Sequence, residues 1–110
     1  MRMLLPGVLL TLGAISVATA DEPISDATGN RLSAKYNCQS CHSLYDASLQ
    51  GPTWRAIAKK YASDNDARDE ISASIQNGSS GTWGSNVMPS TEISAGDLRK
   101  LVEWILAQFP

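Results

Sequence analysis

An all-α domain of about four helices is the fold class this sequence predicts, on three observations. Apolar side chains recur at helical spacing in four separate stretches, no stretch is rich enough in strand formers to build a sheet, and helix-capping residues flank the periodic segments. With 110 residues, one domain is expected, too small to bury more than a modest core without a disulfide, metal or cofactor.

The first stretch, residues 1–20, reads as a secretory signal peptide. Met1-Arg2-Met3 makes a positive start, Leu4 to Val17 an apolar middle, and Ala18-Thr19-Ala20 a small-residue end before Asp21-Glu22-Pro23. The rival is an uncleaved membrane anchor, since the apolar run approaches the roughly 18 to 20 residues that span a bilayer. Pro6, Gly7 and Gly13 weaken a spanning helix, so cleavage is favoured and the folded domain is expected over 21–110.

Asp26 to about Asn37 is predicted helical, with Ser25 or Asp26 capping its start and Leu32 and Tyr36 four apart on one face. Gly29 either admits a crossing helix or is an incidental fray point. The helix delivers Cys38-Gln39-Ser40-Cys41-His42, a C-x-x-C-H sequence, the attachment signature of c-type haem. Residues i and i+3 of a helical turn face one way, so Cys38 and Cys41 can reach the two vinyl groups along one porphyrin edge. His42 follows directly and can turn its imidazole under the iron. One haem c, bound covalently through Cys38 and Cys41, is the expected cofactor. The competing readings are weaker: a thioredoxin-like pair needs a βαβ context, and a zinc site needs a fourth ligand that no further Cys or His supplies.

Thr53 to Tyr61 carries Trp54, Ile57, Ala58 and Tyr61 on one helical face, and Asp66 to Gln76 carries Ile71 and Ile75 with an Asp66 cap and Gly78 just past the end. Lys59, Lys60, Arg68, Asp69 and Glu70 read as a solvated face. From Asn77 to Pro89 the chain is Gly/Ser-rich and shows neither helical nor alternating period, which marks a functional or a disordered loop. It contains Met88. Met1 and Met3 fall in the leader, so Met88 is the only thioether, and His42 the only imidazole, left to ligate iron from within the mature chain. A bis-histidine haem is thereby excluded, and Met88 is expected at the sixth coordination position, a ligand set that raises the reduction potential. Gap-filling in the core is the other use of a lone methionine. Pro89 holds Met88 to extended backbone angles. Ser94 to Asp97 resembles a capping box with Asp for Glu, opening a helix whose Leu98, Leu101, Val102, Ile105 and Phe109 make one apolar stripe, with Arg99, Lys100 and Glu103 facing away and Trp104 as a core aromatic.

Taken together, Lys35-Tyr36-Asn37-Cys38 into Cys41-His42, Gly51-Pro52, Ile75-Gln76-Asn77-Gly78, Gly81-Thr82-Trp83-Gly84, Met88-Pro89 and Leu101-Val102-Glu103-Trp104-Ile105 resemble the short bacterial class I cytochromes c of the c551/c552 type. The resemblance covers nearly all of the mature chain. It implies the small class I cytochrome c fold wrapped around one haem, with the last helix crossing the first. It implies that the Pro52 carbonyl accepts the proton on the far ring nitrogen of His42, and that the Trp83 indole N–H bonds a haem propionate, where ordinary aromatic packing is the alternative. Several members carry an arginine that pairs a propionate where this chain has Ser74; Arg55 and Lys59 are the substitutes the sequence offers.

Removing Arg2 from the nine basic side chains leaves eight against eleven acidic ones, a formal charge of about −3 for the mature chain. That balance argues against nucleic acid or an anionic membrane surface as partner. No nucleophilic triad is available once His42 is committed, and Gly78 to Gly84 lacks the Lys-Ser/Thr ending of a phosphate loop, so no enzymatic activity is expected. The expectation is a monomeric periplasmic one-electron carrier between larger redox proteins, associated with a membrane only if the leader is retained. A gas-binding sensor or small peroxidase-like protein with a labile sixth ligand is the alternative.

Overall fold

A computed structural model describes residues 3–16 and 22–110. The expected processing site at Ala18 to Ala20, together with Met1, Arg2 and Asp21, lies outside the described residues. Residues 3–16 form no helix or strand, and their large apolar side chains, from Met3 to Ile15, are exposed and absent from the core. Among the described residues no helix is long and apolar enough to cross a membrane.

The folded part is helical, as expected, with four α-helices among the described residues: α1 (Asp26–Lys35), α2 (Trp54–Tyr61), α3 (Ala67–Asn77) and α4 (Ala95–Leu106), and a 3₁₀ turn at Cys38–Ser40. Three helices begin as their sequences dictate. Ser25, Thr53 and Ser94 each sit in extended geometry and accept a backbone N–H from two or three positions into the helix, satisfying one of its orphan donors. The third helix departs from expectation. Asp66 stands at the cap position of α3, but its side chain accepts nothing; Asp64 takes over, its side chain accepting from the Asp66 N–H at 2.8 Å and its carbonyl from the Ala67 N–H at 3.2 Å.

α4 packs against α1, α2 and α3 and is the spine of the fold. Its stripe of Leu98, Leu101, Val102 and Ile105 is buried with Leu32, Ile57, Ile71 and Ile75 from the other helices. Phe109 falls beyond the end of α4 and is only half-buried, so the predicted stripe is one residue shorter than expected. Where α4 crosses α1, a Cβ on Gly29 would collide with the Trp104 ring, so the glycine is there for close approach and not as a fray point. Trp104 cannot retreat freely: its indole N–H donates to Asp26 Oδ1 at 2.9 Å, and its ring meets Trp54 edge-on at 5.7 Å.

Two polar clasps complete the crossing. Asp97 forms only half of the expected capping box, because its carboxylate turns to α1 instead and accepts from the Tyr36 hydroxyl at 2.5 Å and the Lys35 ammonium at 2.9 Å. Glu103, expected to face solvent, forms a forked pair with the Arg68 guanidinium of α3. The Tyr36 hydrogen bond, followed by that of Lys35, holds the Asp97 carboxyl below its ordinary value of 3.8. A carboxyl depressed in the fold contributes stability that is complete above its unfolded value and lost as the pH falls through the folded one. The melting-temperature gap between the native protein and Asp97→Asn is therefore expected at neutral pH and should close as the pH drops below about 3.8; thermal melts across acid pH measure it.

Candidate functional site

Asn37 ends α1 in the left-handed region, at φ 58° and ψ 26°, a conformation asparagine adopts more readily than most residues. The chain is thereby redirected into the Cys38–Ser40 turn. The sequence suggested an ordinary helical turn for the two cysteines; the observed turn is 3₁₀, in which side chains three apart eclipse and the two Sγ atoms are brought to one side more directly. Gln39 pins this turn to α1, donating to the Asn30 carbonyl at 3.2 Å and to Ser33 Oγ at 3.0 Å. Neither cysteine is in a disulfide, and burial pushes the Cys38 thiol up.

His42 is buried, at 7% exposure, and its ring is held on three sides. Its Nδ1 lies 2.6 Å from the Pro52 carbonyl oxygen, which can only accept, so Nδ1 carries the proton and Nε2 is the nitrogen left for a metal. Trp54 stacks on the ring with centroids 4.6 Å apart and planes 22° from parallel. Gly51 closes the third side: a Cβ there would meet His42 Cε1 at 2.6 Å and Nδ1 at 2.8 Å. Backbone bonds from Gly51 to the Cys41 carbonyl and from Trp54 to the Ser43 carbonyl, both 2.8 Å, lock the two segments together. Desolvation lowers the His42 pKa against the opposing pull of the Pro52 carbonyl, so the imidazole is held neutral, the form that binds metal. The sequence places Trp54 only on the apolar face of its helix. Its position two residues after Gly51-Pro52, at the start of a helix, was the available signal.

The loop that carries Met88 is not structureless. Ser79 and Met88 exchange both backbone hydrogen bonds, at 2.8 and 3.0 Å, and the Thr91 N–H donates to the Ile75 carbonyl at 2.8 Å. Gly78 makes this possible with φ +82° and no side chain where the Met88 carbonyl approaches. Asn86 Nδ2 donates to the Gln50 carbonyl at 3.0 Å, tying the loop to the segment that follows His42.

These elements line one cleft, concave and mostly apolar as cofactor sites are. Cys38, Cys41, His42, Pro52, Trp83 and Met88, the six residues expected to hold the cofactor, all line it. Trp54, Ile57, Tyr61, Ile71, Ile75, Leu101 and Ile105 make its apolar walls, and among the described residues no Lys, Arg, Asp or Glu lines it. Two thiols on one turn, a neutral imidazole with one nitrogen engaged, and a backbone-fixed thioether in an apolar slot fit a covalently attached haem. Trp83 is 43% exposed at the rim, with the Lys60 ammonium 5.7 Å from its ring centroid. Arg55, one substitute for the arginine missing at Ser74, lies over Phe109 instead, at 5.4 Å, and neither it nor Lys59 lines the cleft.

Residues 25–105 match the protein-family model described as cytochrome C oxidase, cbb3-type, subunit III. The chain is 38% identical over 100 residues to cytochrome c-552 of Hydrogenobacter thermophilus, covering 91% of this chain and 93% of that protein. It is 35% identical over 79 residues to cytochrome c-551 of Azotobacter vinelandii, covering 72% and 95%. Among solved structures, wild-type cytochrome c552 of Nitrosomonas europaea superposes with a TM-score of 0.68 at 38% identity, covering 72% of this chain and 98% of that one.

Proposed function

This chain belongs to the c551/c552 family of class I c-type cytochromes, monohaem electron carriers, and on that premise we propose that it is an exported periplasmic carrier whose iron is ligated by His42 and Met88. It binds one haem c, attached through Cys38 and Cys41 of the C-x-x-C-H sequence. Bound haem supplies a single iron that cycles between two oxidation states. The observation that carries the reading is that the family's two thiols, the only imidazole and the only thioether of the folded part converge on one apolar cleft.

Each protein group then has a defined task. Cys38 and Cys41 keep the cofactor from being lost outside the cytoplasm. Pro52 and Trp54 fix the tautomer and the plane of His42, so that the ligand is preorganised in both oxidation states. The Ser79–Met88 backbone bonds hold the thioether in place from the other side, and the apolar walls keep water from the metal. Trp83 and Pro52 complete the proposed cofactor-binding set, Trp83 at the rim. Exposed Tyr45, Trp83 and Val87 leave apolar surface for the brief, small-area contacts an electron carrier makes with its donor and acceptor. Export is supported by the apolar, exposed residues 3–16, which contribute nothing to the core.

The reduced protein is expected to ignore carbon monoxide, because His42 and Met88 would together hold the iron, and to be found in the soluble periplasmic fraction. Ready gas binding by the wild type would favour a sensor or peroxidase-like role instead. Recovery with the membrane would favour a fixed subunit held by its leader, the arrangement that the family model's description as an oxidase subunit brings to mind.

A further inference from the structure

We propose that Lys60 supplies the positive charge that receives a haem propionate, at the rim formed by the last turn of α2 and the Trp83 loop. The inference rests on the haem reading of the cleft. Haem carries two carboxylates, and the walls that would surround it offer no cation. An ionised carboxylate is not held against apolar side chains without a partner, because desolvation disfavours its charged form, so the carboxylates must leave the interior where the rim is polar or positive.

Lys60 meets that need by position. Its ammonium lies 5.7 Å from the centroid of Trp83 and 5.7 Å from that of Tyr61, and both rings line the cleft. Its charge therefore sits in solvent beside two cleft-lining aromatics. Three other basic side chains are engaged elsewhere: Lys35 with Asp97, Arg68 with Glu103, and Arg55 over Phe109. The charged groups that face Lys60 are Glu70 on α3 and, through Glu70, Asp64 and Asp66. The Glu70 carboxyl is raised chiefly by desolvation and then by Asp64 and Asp66, with Lys60 pulling the other way. Glu70 is thus the competing partner that a test must separate.

The test is redox titration of the haem-loaded protein over a range of pH for the wild type, Lys60→Gln, Lys60→Arg, Lys59→Gln, Glu70→Gln and Lys60→Gln/Glu70→Gln, the last compared with Glu70→Gln. A cation beside the cofactor disfavours the ferric charge. Lys60→Gln should therefore lower the equilibrium constant for reduction two- to fivefold, about 20–40 mV at 59 mV per tenfold. The pH at which the potential responds to cofactor carboxylate protonation should rise in the same variant. Lys60→Arg should keep both properties, Lys59→Gln should change neither by as much, and the Lys60→Gln shift should persist when Glu70 is neutral. Equal effects of Lys60→Gln and Lys59→Gln, or a shift that vanishes without the Glu70 charge, would overturn the assignment. Recording the methionine-to-iron absorption band in the same samples separates the two readings. A normal band with no potential shift removes the role of Lys60 alone, while a wild type lacking the band removes the axial assignment.

Discussion

Replacing Met88 with alanine is expected to lower the reduction potential by on the order of 0.1–0.3 V and to open the ferrous iron to carbon monoxide. Axial ligands spread haem potentials over roughly 0.8 V, and a thioether favours the ferrous state more than water or a harder donor does. No second thioether of the folded part can take its place, since the other methionines, Met1 and Met3, fall in the proposed leader. The loss is expected without collapse of the fold, because the backbone bonds between Ser79 and Met88 do not need the side chain. Potentiometry and gas titration of the variant beside the wild type measure both effects. An unchanged potential would mean that Met88 merely fills the core.

Gly51→Ala is expected to have the second large effect, acting through the opposite ligand. The added methyl would sit 2.6 Å from His42 Cε1 and 2.8 Å from both His42 Nδ1 and the Cys41 carbonyl. Backbone on one side and the stacked Trp54 on the other leave the ring little room to yield. Overpacking of this kind costs about 1–3 kcal/mol, and a ring pushed away from the Pro52 carbonyl leaves a buried N–H unpaired at about 1–3 kcal/mol more. For a domain of this size each kcal/mol corresponds to roughly 4–8 °C, so the melting temperature should fall by about 10 °C or more. Gly96→Ala is the control: a Cβ there meets nothing within 4 Å, and it should be neutral or slightly stabilising.

Helices and the residues that converge on the cleft were legible in the sequence for different reasons. Periodicity of three and four located α1 to α4 because α1, α2 and α3 each bury one face against α4, and the caps at Ser25, Thr53 and Ser94 follow from local chemistry alone. The chemistry-bearing residues were legible because their types are scarce: one imidazole and one thioether in the folded part leave no alternatives. What was not legible depends on tertiary contact. Nothing local distinguishes Asp64 from Asp66 as the group that closes the start of α3, or shows that Asp97 will prefer Tyr36 and Lys35 to its own helix. The Trp54 stack on His42 and the Ser79–Met88 bridge require segments that meet only once the chain has folded. The same is true of Lys60, whose place beside Trp83 joins residues on separate elements and turns an assumed solvated charge into part of the rim.

Joint ligation of one iron by His42 and Met88 is tested most directly by the absorption spectrum of the oxidised, haem-loaded protein, recorded beside that of Met88→Ala. The weak methionine-to-iron band should be present in the wild type and absent from the variant. A wild type without the band, or a variant that keeps it, would contradict the ligation from which the carrier function follows.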